Sequence, residues 1–229
     1  MISAPSPNFD DRQSPVRLVV LHYTGMETGH AALERMCDPA AKVAAHYMIE
    51  QDGRLFQLVT EEKRAWHAGL GGWGDIDDVN DVSIGIELVN RGHYWGYEEF
   101  PDEQITSLEG VLQLLFDRYD LTPAAVIGHS DIAPERKDDP GEKFPWARLA
   151  KKGFSLPPFT EAKARDVPDH EASLIQLKAL GYRFKPTHPA AAVLAFQRRF
   201  VPDELGQGLS PRTRAAIQFA RAQVSLRAT

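Results

Sequence analysis

The chain has 229 residues, of which 43% are hydrophobic and 25% charged, a composition that fits a globular protein of one or two domains. Its formal net charge of -6 leaves no broad basic surface to attract phosphate backbones, so nucleic acid is not an expected partner. No stretch approaches the length of a membrane span, and we expect a monomer.

The first eleven residues contain neither a basic n-region nor an apolar h-region. This pattern predicts a protein that stays in the cytoplasm. A periplasmic protein whose leader is missing from this chain is the alternative.

Five segments rich in Val, Ile, Leu and aromatic residues are bounded by turn residues, which is typical of β-strands. They span residues 17–23, 46–51, 55–59, 83–90 and 125–129. The dipeptide Asp52-Gly53 separates the second segment from the third and favours a type I′ turn. We therefore expect that pair of strands to be antiparallel.

Apolar side chains recur at steps of three and four between residues 105 and 119, which predicts a helix of about five turns covering one sheet face. Strand-like and helix-like segments alternate up to about residue 149. The sequence thus predicts an α/β fold with a mixed central sheet flanked by helices, in a first domain of residues 1–152.

Residues 153–169 are rich in proline, charged and small residues, which is typical of a linker. Three short apolar stripes follow and predict a small three-helix domain over residues 170–229. Such a bundle leaves little room for a catalytic cleft, so a binding module is the better interpretation.

Two histidines end predicted strands, and a carboxylate follows the second histidine by ten residues. These residues are His22, His129 and Asp139. Two imidazoles and a carboxylate suit zinc and leave a fourth position open for water, which is the arrangement of a hydrolytic site. The sequence therefore predicts a hydrolase with one Zn²⁺ ion as cofactor.

Glu87 is a lone carboxylate in an otherwise apolar strand, where burial without a partner is costly. Near a metal-activated water, such a carboxylate takes a proton and passes it to the leaving group, whereas the alternative is a salt-bridged structural glutamate. Lys137 precedes Asp139 by two residues and is predicted to bring a positive charge close to the metal. Its alternative is a lysine that faces solvent.

Trp66 and His67 lie in a glycine-rich segment that predicts a wall for a sugar or peptide ligand, with simple packing as the alternative. The other predicted substrate-binding residues are Tyr23, His46 and Asn90.

Six short motifs follow one another between residues 15 and 150. They are His22-Tyr-Thr24, Ala45-His-Tyr-Met-Ile49 with Asp52-Gly53, Ala65-Trp-His-Ala-Gly69, Ser83-Ile-Gly-Ile-Glu87, Gly128-His-Ser-Asp-Ile-Ala-Pro134 and Arg136-Lys-Asp-Asp-Pro-Gly141. In this order they resemble the zinc-dependent N-acetylmuramoyl-L-alanine amidases of the amidase type 2 family.

This resemblance implies the same site that the residues themselves predict. It implies zinc ligands at His22, His129 and Asp139, a catalytic acid/base at Glu87 and an oxyanion-stabilising lysine at Lys137. Asp138 and Asp131 are the competing carboxylates, and the motif favours Asp139 because it directly precedes Pro-Gly.

The resemblance also implies an activity: hydrolysis of the amide bond between N-acetylmuramic acid and L-alanine, in peptidoglycan or (anhydro)muropeptides, during wall turnover or recycling. One alternative is a recognition protein of the same fold that binds peptidoglycan without cleaving it. A glycosidase using Glu87 and Asp78 is a second alternative, but it leaves both predicted histidine ligands unexplained.

The C-terminal residues resemble the three-helix peptidoglycan-binding domain. The matching segments are Leu177-Lys-Ala-Leu-Gly-Tyr182, Ala192-Val-Leu-Ala-Phe-Gln-Arg-Arg-Phe200, Gly208 and residues 213–217. The turn before the last helix departs from that pattern, with Gly-Leu-Ser-Pro in place of an Asp-Gly type of turn.

Overall fold

The computed structural model describes residues 1–161 and 167–225. Its strands are β1 (Ile2–Ser3), β2 (Phe9–Asp11), β3 (Leu18–Tyr23), β4 (Tyr47–Ile49), β5 (Leu55–Gln57), β6 (Lys63–Ala65), β7 (Ser83–Leu88) and β8 (Val126–Gly128). Its α-helices are α1 (Gly29–Cys37), α2 (Val79–Val82), α3 (Gly92–Trp95), α4 (Asp102–Tyr119), α5 (His129–Ile132), α6 (Trp146–Lys151), α7 (His170–Leu180), α8 (Ala190–Phe200) and α9 (Pro211–Ser225).

The central sheet has the strand order β1-β5-β4-β7-β3-β8, and β2 pairs with β6 in a separate antiparallel ribbon. Neighbouring strands of the central sheet are parallel except for β4 and β5. The predicted fold class, a mixed sheet flanked by helices and followed by three short helices, is confirmed. The short strands β1, β2 and β6 were not predicted, because two or three residues carry too little alternation to be recognised.

The predicted hairpin is present, but its turn type is wrong. A type I′ turn needs positive φ at both central residues, whereas of Asp52 and Gly53 only the glycine has one, at 83°. Gly53 N donates to Glu50 O at 2.9 Å, and Glu50 N donates to Arg54 O at 2.9 Å. Gln51 and Asp52 therefore form the turn, and the left-handed Gly53 returns the chain to β5.

The alternation of β3 divides the core between the two faces of the sheet. Val19 and Leu21 pack in the cluster that includes α4, which covers one face as predicted. Leu18 and Val20 pack on the opposite side with residues of α5. His22 continues the Leu18 and Val20 side, because side chains of a strand alternate with a period of two. The site thus begins where an apolar strand face ends.

The three C-terminal helices enclose a further apolar cluster of their own. Leu156 and Phe159, from the predicted linker, belong to this cluster, while Phe154 packs with the sheet cluster. The first part of the predicted linker is therefore packed chain. Residues 162–166 of that linker and 226–229 of the predicted three-helix domain lie outside the described residues. The domain boundaries stay a prediction.

Across residues 1–161 and 167–225, we find no helix with the length and apolarity that crossing a membrane requires.

Candidate active site

Three neighbouring strands, β7, β3 and β8, bring chemically active side chains to one edge of the sheet. These strands are parallel, so their carboxyl ends meet at the same edge, which is where α/β sheets bind ligands. His22 of β3 is paired in register with Glu87 of β7. His129 is the first residue of α5, directly after β8.

Asp139 reaches the same place from a loop. Ser130 N donates to Asp139 O at 2.8 Å, which ties this loop to the start of α5. Asp139 Oδ2 lies 3.1 Å from His22 Nδ1 and 3.0 Å from His129 Nδ1, and the two Nδ1 atoms are 2.9 Å apart. Three potential metal ligands therefore converge, all of them buried.

A chain of hydrogen bonds fixes which nitrogen of His22 carries the proton. Ser83 Oγ donates its proton to Val79 O at 2.5 Å, so it accepts from His67 Nε2 at 3.2 Å. His67 Nδ1 then lacks a proton and accepts from His22 Nε2 at 3.0 Å. His22 Nδ1 is left with a free lone pair that points at Asp139 and His129.

His129 reaches the same state by a shorter route. Its Nε2 lies 2.9 Å from Ala68 O, and because a carbonyl only accepts, Nε2 is the donor. The Nδ1 lone pair of His129 thus faces the Nδ1 lone pair of His22 and the carboxylate of Asp139. Two lone pairs and an anion in van der Waals contact repel one another unless a cation lies between them.

This donor set fits zinc. Ligand atoms about 2.05 Å from a tetrahedral ion are about 3.3 Å apart, within a few tenths of an ångström of the distances found here. Each histidine also donates its other ring nitrogen to a buried acceptor, the outer arrangement that zinc-binding histidines usually have.

Burial and mutual charge hold the ligand groups in the state that binds a metal. Burial, and then the charge of His129, lowers the pKa of His22 to about 4. Burial by itself would raise the pKa of Asp139, but its contacts with His129 and then with His22 outweigh burial and lower that pKa. Neutral His22 and ionised Asp139 are the forms that coordinate.

Glu87 is in the opposite situation. Its Oε2 is buried and has no hydrogen-bond partner in residues 1–161 and 167–225. Burial, followed by the negative charge of Asp139, raises the pKa of Glu87 to about 8, against the opposing charge of Lys137. A strongly raised carboxyl pKa beside a cluster of potential metal ligands marks a candidate acid/base.

A cavity of about 390 Å³ opens in front of these groups. Glu87, His129 and Asp139 lie in its wall together with the half-buried Lys137. The cavity therefore brings together a potential metal site, a carboxyl group that binds its proton tightly and a fixed positive charge.

A family model described as N-acetylmuramoyl-L-alanine amidase matches residues 12–142 of the chain. The chain belongs to this amidase family. The family resemblance predicted from the six motifs is confirmed.

Among known amidases, the chain is similar to AmiD of Escherichia coli K12, with 35% identity over 211 residues, which cover 82% of this chain and 75% of AmiD. It is also similar to the 1,6-anhydro-N-acetylmuramyl-L-alanine amidase AmpD of Citrobacter freundii, with 36% identity over 63% of this chain and 86% of AmpD. The solved complex of E. coli AmiD with the substrate anhydro-N-acetylmuramic acid-L-Ala-D-gamma-Glu-L-Lys has a TM-score of 0.81 and 32% identity, covering 91% of this chain and 89% of that one. The chain is an AmpD/AmiD-like amidase of the family that its motifs predict.

Two of the predicted substrate-binding residues lie in the wall of the amidase cavity. Tyr23 lines it, and its hydroxyl group lies 2.9 Å from His93 Nδ1. His67 also lines it but is 5% exposed, and both of its ring nitrogens are engaged with His22 and Ser83. The structure thus gives His67 a supporting position behind His22.

The other three predicted substrate-binding residues have different surroundings. His46 is buried between Gly85 N and Lys63 O. Trp66 Nε1 donates to Asp10 Oδ2 at 2.6 Å. Asn90 is 1% exposed, and its Nδ2 donates to the main chain. None of the three lies in the described part of the cavity wall, and their role in substrate binding stays a prediction.

The competing carboxylates are engaged elsewhere. Asp138 pairs with Arg198, and Asp131 pairs with Arg199. Asp78 is exposed and pairs with Arg64, so a two-carboxylate glycosidase site with Glu87 has no support here.

Sequence reasoning missed Ser83 and Gly85, although the period of two places both on the Glu87 face of β7. A Cβ atom at Gly85 would lie 2.3 Å from His67 Cγ, so only glycine lets that ring pack against the strand. It also missed His93, which stacks on Tyr97 with ring centroids 4.3 Å apart and for which the spacing gives no signal.

Proposed function

We propose that this amidase uses one zinc ion to hydrolyse the amide bond between the lactyl group of N-acetylmuramic acid and the L-alanine of the stem peptide. The observation that carries the proposal is the meeting of His22, His129 and Asp139 beside Glu87, whose buried Oε2 has no hydrogen-bond partner among the described residues. Similarity to AmpD, and to AmiD in complex with an anhydromuramyl peptide, supports muropeptides, and in particular 1,6-anhydromuropeptides, as substrates.

His22, His129 and Asp139 would hold the zinc ion. When bound, zinc supplies a Lewis acid that acidifies water and polarises a carbonyl group. The buried acceptors behind both histidines keep the ligand nitrogens unprotonated and oriented.

Glu87 moves the proton. The positive charges of Lys137 and of a bound zinc ion would favour the ionised form of Glu87. This carboxylate takes a proton from the attacking water as the water oxygen bonds to the amide carbon. The same group returns that proton to the alanine nitrogen as the carbon–nitrogen bond breaks, because the nitrogen would otherwise have to leave as an amide anion. The products are a muramyl carboxylic acid and a stem peptide with a free amino group.

Lys137 provides a fixed positive charge at the cavity wall, close enough to oppose the raised pKa of Glu87. In the amidase reaction this charge stabilises the negative charge that develops on the carbonyl oxygen.

Product analysis tests the proposal. Zinc-loaded protein is incubated with two matched muropeptides, one with a 1,6-anhydromuramyl end and one without it, and the products are identified by mass spectrometry. Release of the free stem peptide from either substrate supports the amidase, and release from the anhydro substrate alone identifies a recycling specificity.

The matched control is zinc-loaded Glu87→Gln protein, which removes the proton carrier and keeps the size of the side chain. Absence of release by the wild type, with zinc shown to be bound, contradicts the proposal and favours a peptidoglycan-recognition protein.

A further inference from the structure

Two consecutive arginines of α8, Arg198 and Arg199, contact the two chain segments that carry His129 and Asp139. Successive residues of a helix project about 100° apart, so the two side chains reach different targets. The C-terminal helices therefore contribute contacts next to the candidate metal site itself.

Arg199 holds the His129 segment on both sides. Its Nη2 donates to Val126 O at 2.7 Å, three residues before His129, and its Nη1 donates to Asp131 Oδ2 at 2.9 Å, two residues after it. Tyr182, which precedes α8, donates its hydroxyl proton to the other oxygen of Asp131 at 2.6 Å. Asp131 Oδ2 also accepts from the main chain at the start of α5, from Gly128 N at 2.8 Å.

Arg198 contacts the Asp139 segment through ion pairs, and its Nε and Nη1 have no hydrogen-bond partner among the described residues. Its Nη2 lies 2.6 Å from Asp138 Oδ1, directly before Asp139, and its Nε lies 3.9 Å from Glu142 Oε2, three residues after Asp139. Glu142 Oε2 is in turn 3.1 Å from His93 Nε2, so this contact continues into the cavity wall.

These ion pairs are buried on the arginine side. The side chain of Arg198 is 11% exposed and that of Arg199 is 4% exposed, with its guanidinium group 4.6 Å from the centre of the Trp146 ring. Removing such charges from water costs about as much free energy as the pairs return, so they are weak contributors to stability. Arg199 supplies directional geometry, because its guanidinium group donates to a carboxylate and a carbonyl oxygen in a planar fork, whereas Arg198 supplies a positive charge against Asp138.

We propose that Arg198 and Arg199 are positioning residues of the metal site. By bracketing His129 and Asp139 from a single helix, they fix the distance between His129 Nδ1 and Asp139 Oδ2. Helix α8 is thus part of the scaffold of the active site, in addition to any binding of polymer by the C-terminal helices. This inference rests on the proposed function, since it assumes that His129 and Asp139 bind zinc.

The test is the zinc affinity of the full chain, measured by competition with a chromophoric chelator. Loss of a contact that orients a metal ligand lowers metal affinity about 10–100-fold, and we expect a loss in this range for Arg198→Ala. We also expect kcat to fall while KM changes little, because Arg198 touches the ligand loop and not the substrate. Arg198→Lys restores the positive charge beside Asp138 and recovers part of the affinity.

Arg183→Ala is the matched control. Arg183 also joins the C-terminal part to the rest of the chain, through Asp77 and Gly74 O, but it contacts neither ligand segment. We expect Arg183→Ala to keep wild-type zinc affinity. An equal loss in Arg183→Ala and Arg198→Ala would assign the effect to loosened packing and overturn the inference.

Asp138→Asn provides a second approach if Arg198→Ala does not fold, because it removes the same ion pair while keeping the packing of the Arg198 side chain. We expect Asp138→Asn to weaken zinc binding in the same direction, and the double variant to lose no more than Arg198→Ala alone. Wild-type affinity in a folded Arg198→Ala or Asp138→Asn protein refutes the positioning role while leaving the proposed function intact. A wild type that binds no zinc refutes the proposed function first, and the inference with it.

Discussion

The surroundings of two carboxyl groups in the cavity wall, those of Asp139 and Glu87, shift their pKa values in opposite directions. Asp139 lies between His22 and His129, and its contacts with these two residues lower its pKa despite burial. In the same wall, the Oε2 atom of Glu87 has no partner among the described residues, and burial raises the pKa of Glu87 to about 8. Two carboxyl groups whose environments push their pKa values apart take different roles: one is a permanent anion and the other exchanges protons.

This difference is created by partners and not by depth or by chain position. Glu87 is paired in register with His22 on the neighbouring strand, so it borders the same cluster that ionises Asp139. Changes that exchange or remove partners therefore test the comparison directly.

The largest effect is expected from removal of one of the predicted zinc ligands around Asp139. In His22→Ala, one of three ligand atoms is lost, and we expect the zinc content after dialysis to fall from about one ion per chain to near zero, with loss of activity. Atomic absorption measures the zinc, and circular dichroism of the zinc-free protein checks the fold. Stoichiometric zinc in folded His22→Ala would remove His22 from the ligand set.

The next largest effect is expected from a change of the proton carrier, Glu87. Glu87→Gln keeps the shape but cannot take a proton, so we expect kcat to fall about 10²–10⁴-fold while zinc stays bound. Steady-state rates with a muropeptide, together with zinc analysis of the same sample, distinguish a loss of proton transfer from a loss of the metal. Wild-type turnover in Glu87→Gln would be incompatible with the proton transfer assigned to Glu87.

The stability of the zinc-free protein tests the raised pKa itself. Because the folded state holds the Glu87 proton more tightly than the unfolded state, this group stabilises the fold fully below pH 4.5 and loses that contribution as the pH rises towards about 8. The loss is at most about 5 kcal/mol, and Glu87→Gln does not suffer it. We expect zinc-free Glu87→Gln to melt above the zinc-free wild type near pH 8.5 and close to it near pH 4.

Parallel melting temperatures of the two proteins across this pH range would show that Glu87 ionises normally. The contrast with Asp139 would then fail.

The smallest effect is expected from a change behind the metal ligands, at Ser83. Ser83→Ala removes the group that fixes the protonated nitrogen of His67 and, through it, that of His22. We expect zinc affinity to fall about tenfold, the lower end for a group outside the ligand set. Ser155→Ala is the control, because Ser155 is also buried and donates to main-chain carbonyls, away from the cavity. Equal zinc affinity in both variants would show that Ser83 does not influence zinc binding through His67 and His22.

The sequence predicted much of the site because its signals are local. His22 and His129 each end an apolar run, and the alternation of Ser83, Gly85 and Glu87 reveals one strand face. Such patterns depend on the period of a strand and on the residues that bound it. The same reasoning missed the shortest strands. It also misjudged the turn before Gly53, because an Asp-Gly dipeptide occurs both in type I′ turns and where, as here, the glycine follows the two turn residues.

The surroundings of the predicted substrate-binding residues were not readable in this way. His67 and Trp66 are neighbours in sequence, yet one contacts His22 and the other Asp10, because they lie on opposite sides of the chain. Nothing in the spacing of residues tells which buried acceptor a ring nitrogen meets.

By itself, the sequence determined the family, the mixed sheet with its long helix, and the set of residues that suits zinc. The tertiary structure alone decided which nitrogens are free, why Glu87 holds its proton, and that Arg198 and Arg199 hold the ligand segments. The physical reason is the range of the interactions: hydrophobic periodicity acts within one element, whereas a proton's position and a side chain's pKa depend on groups that only the fold brings within hydrogen-bond distance.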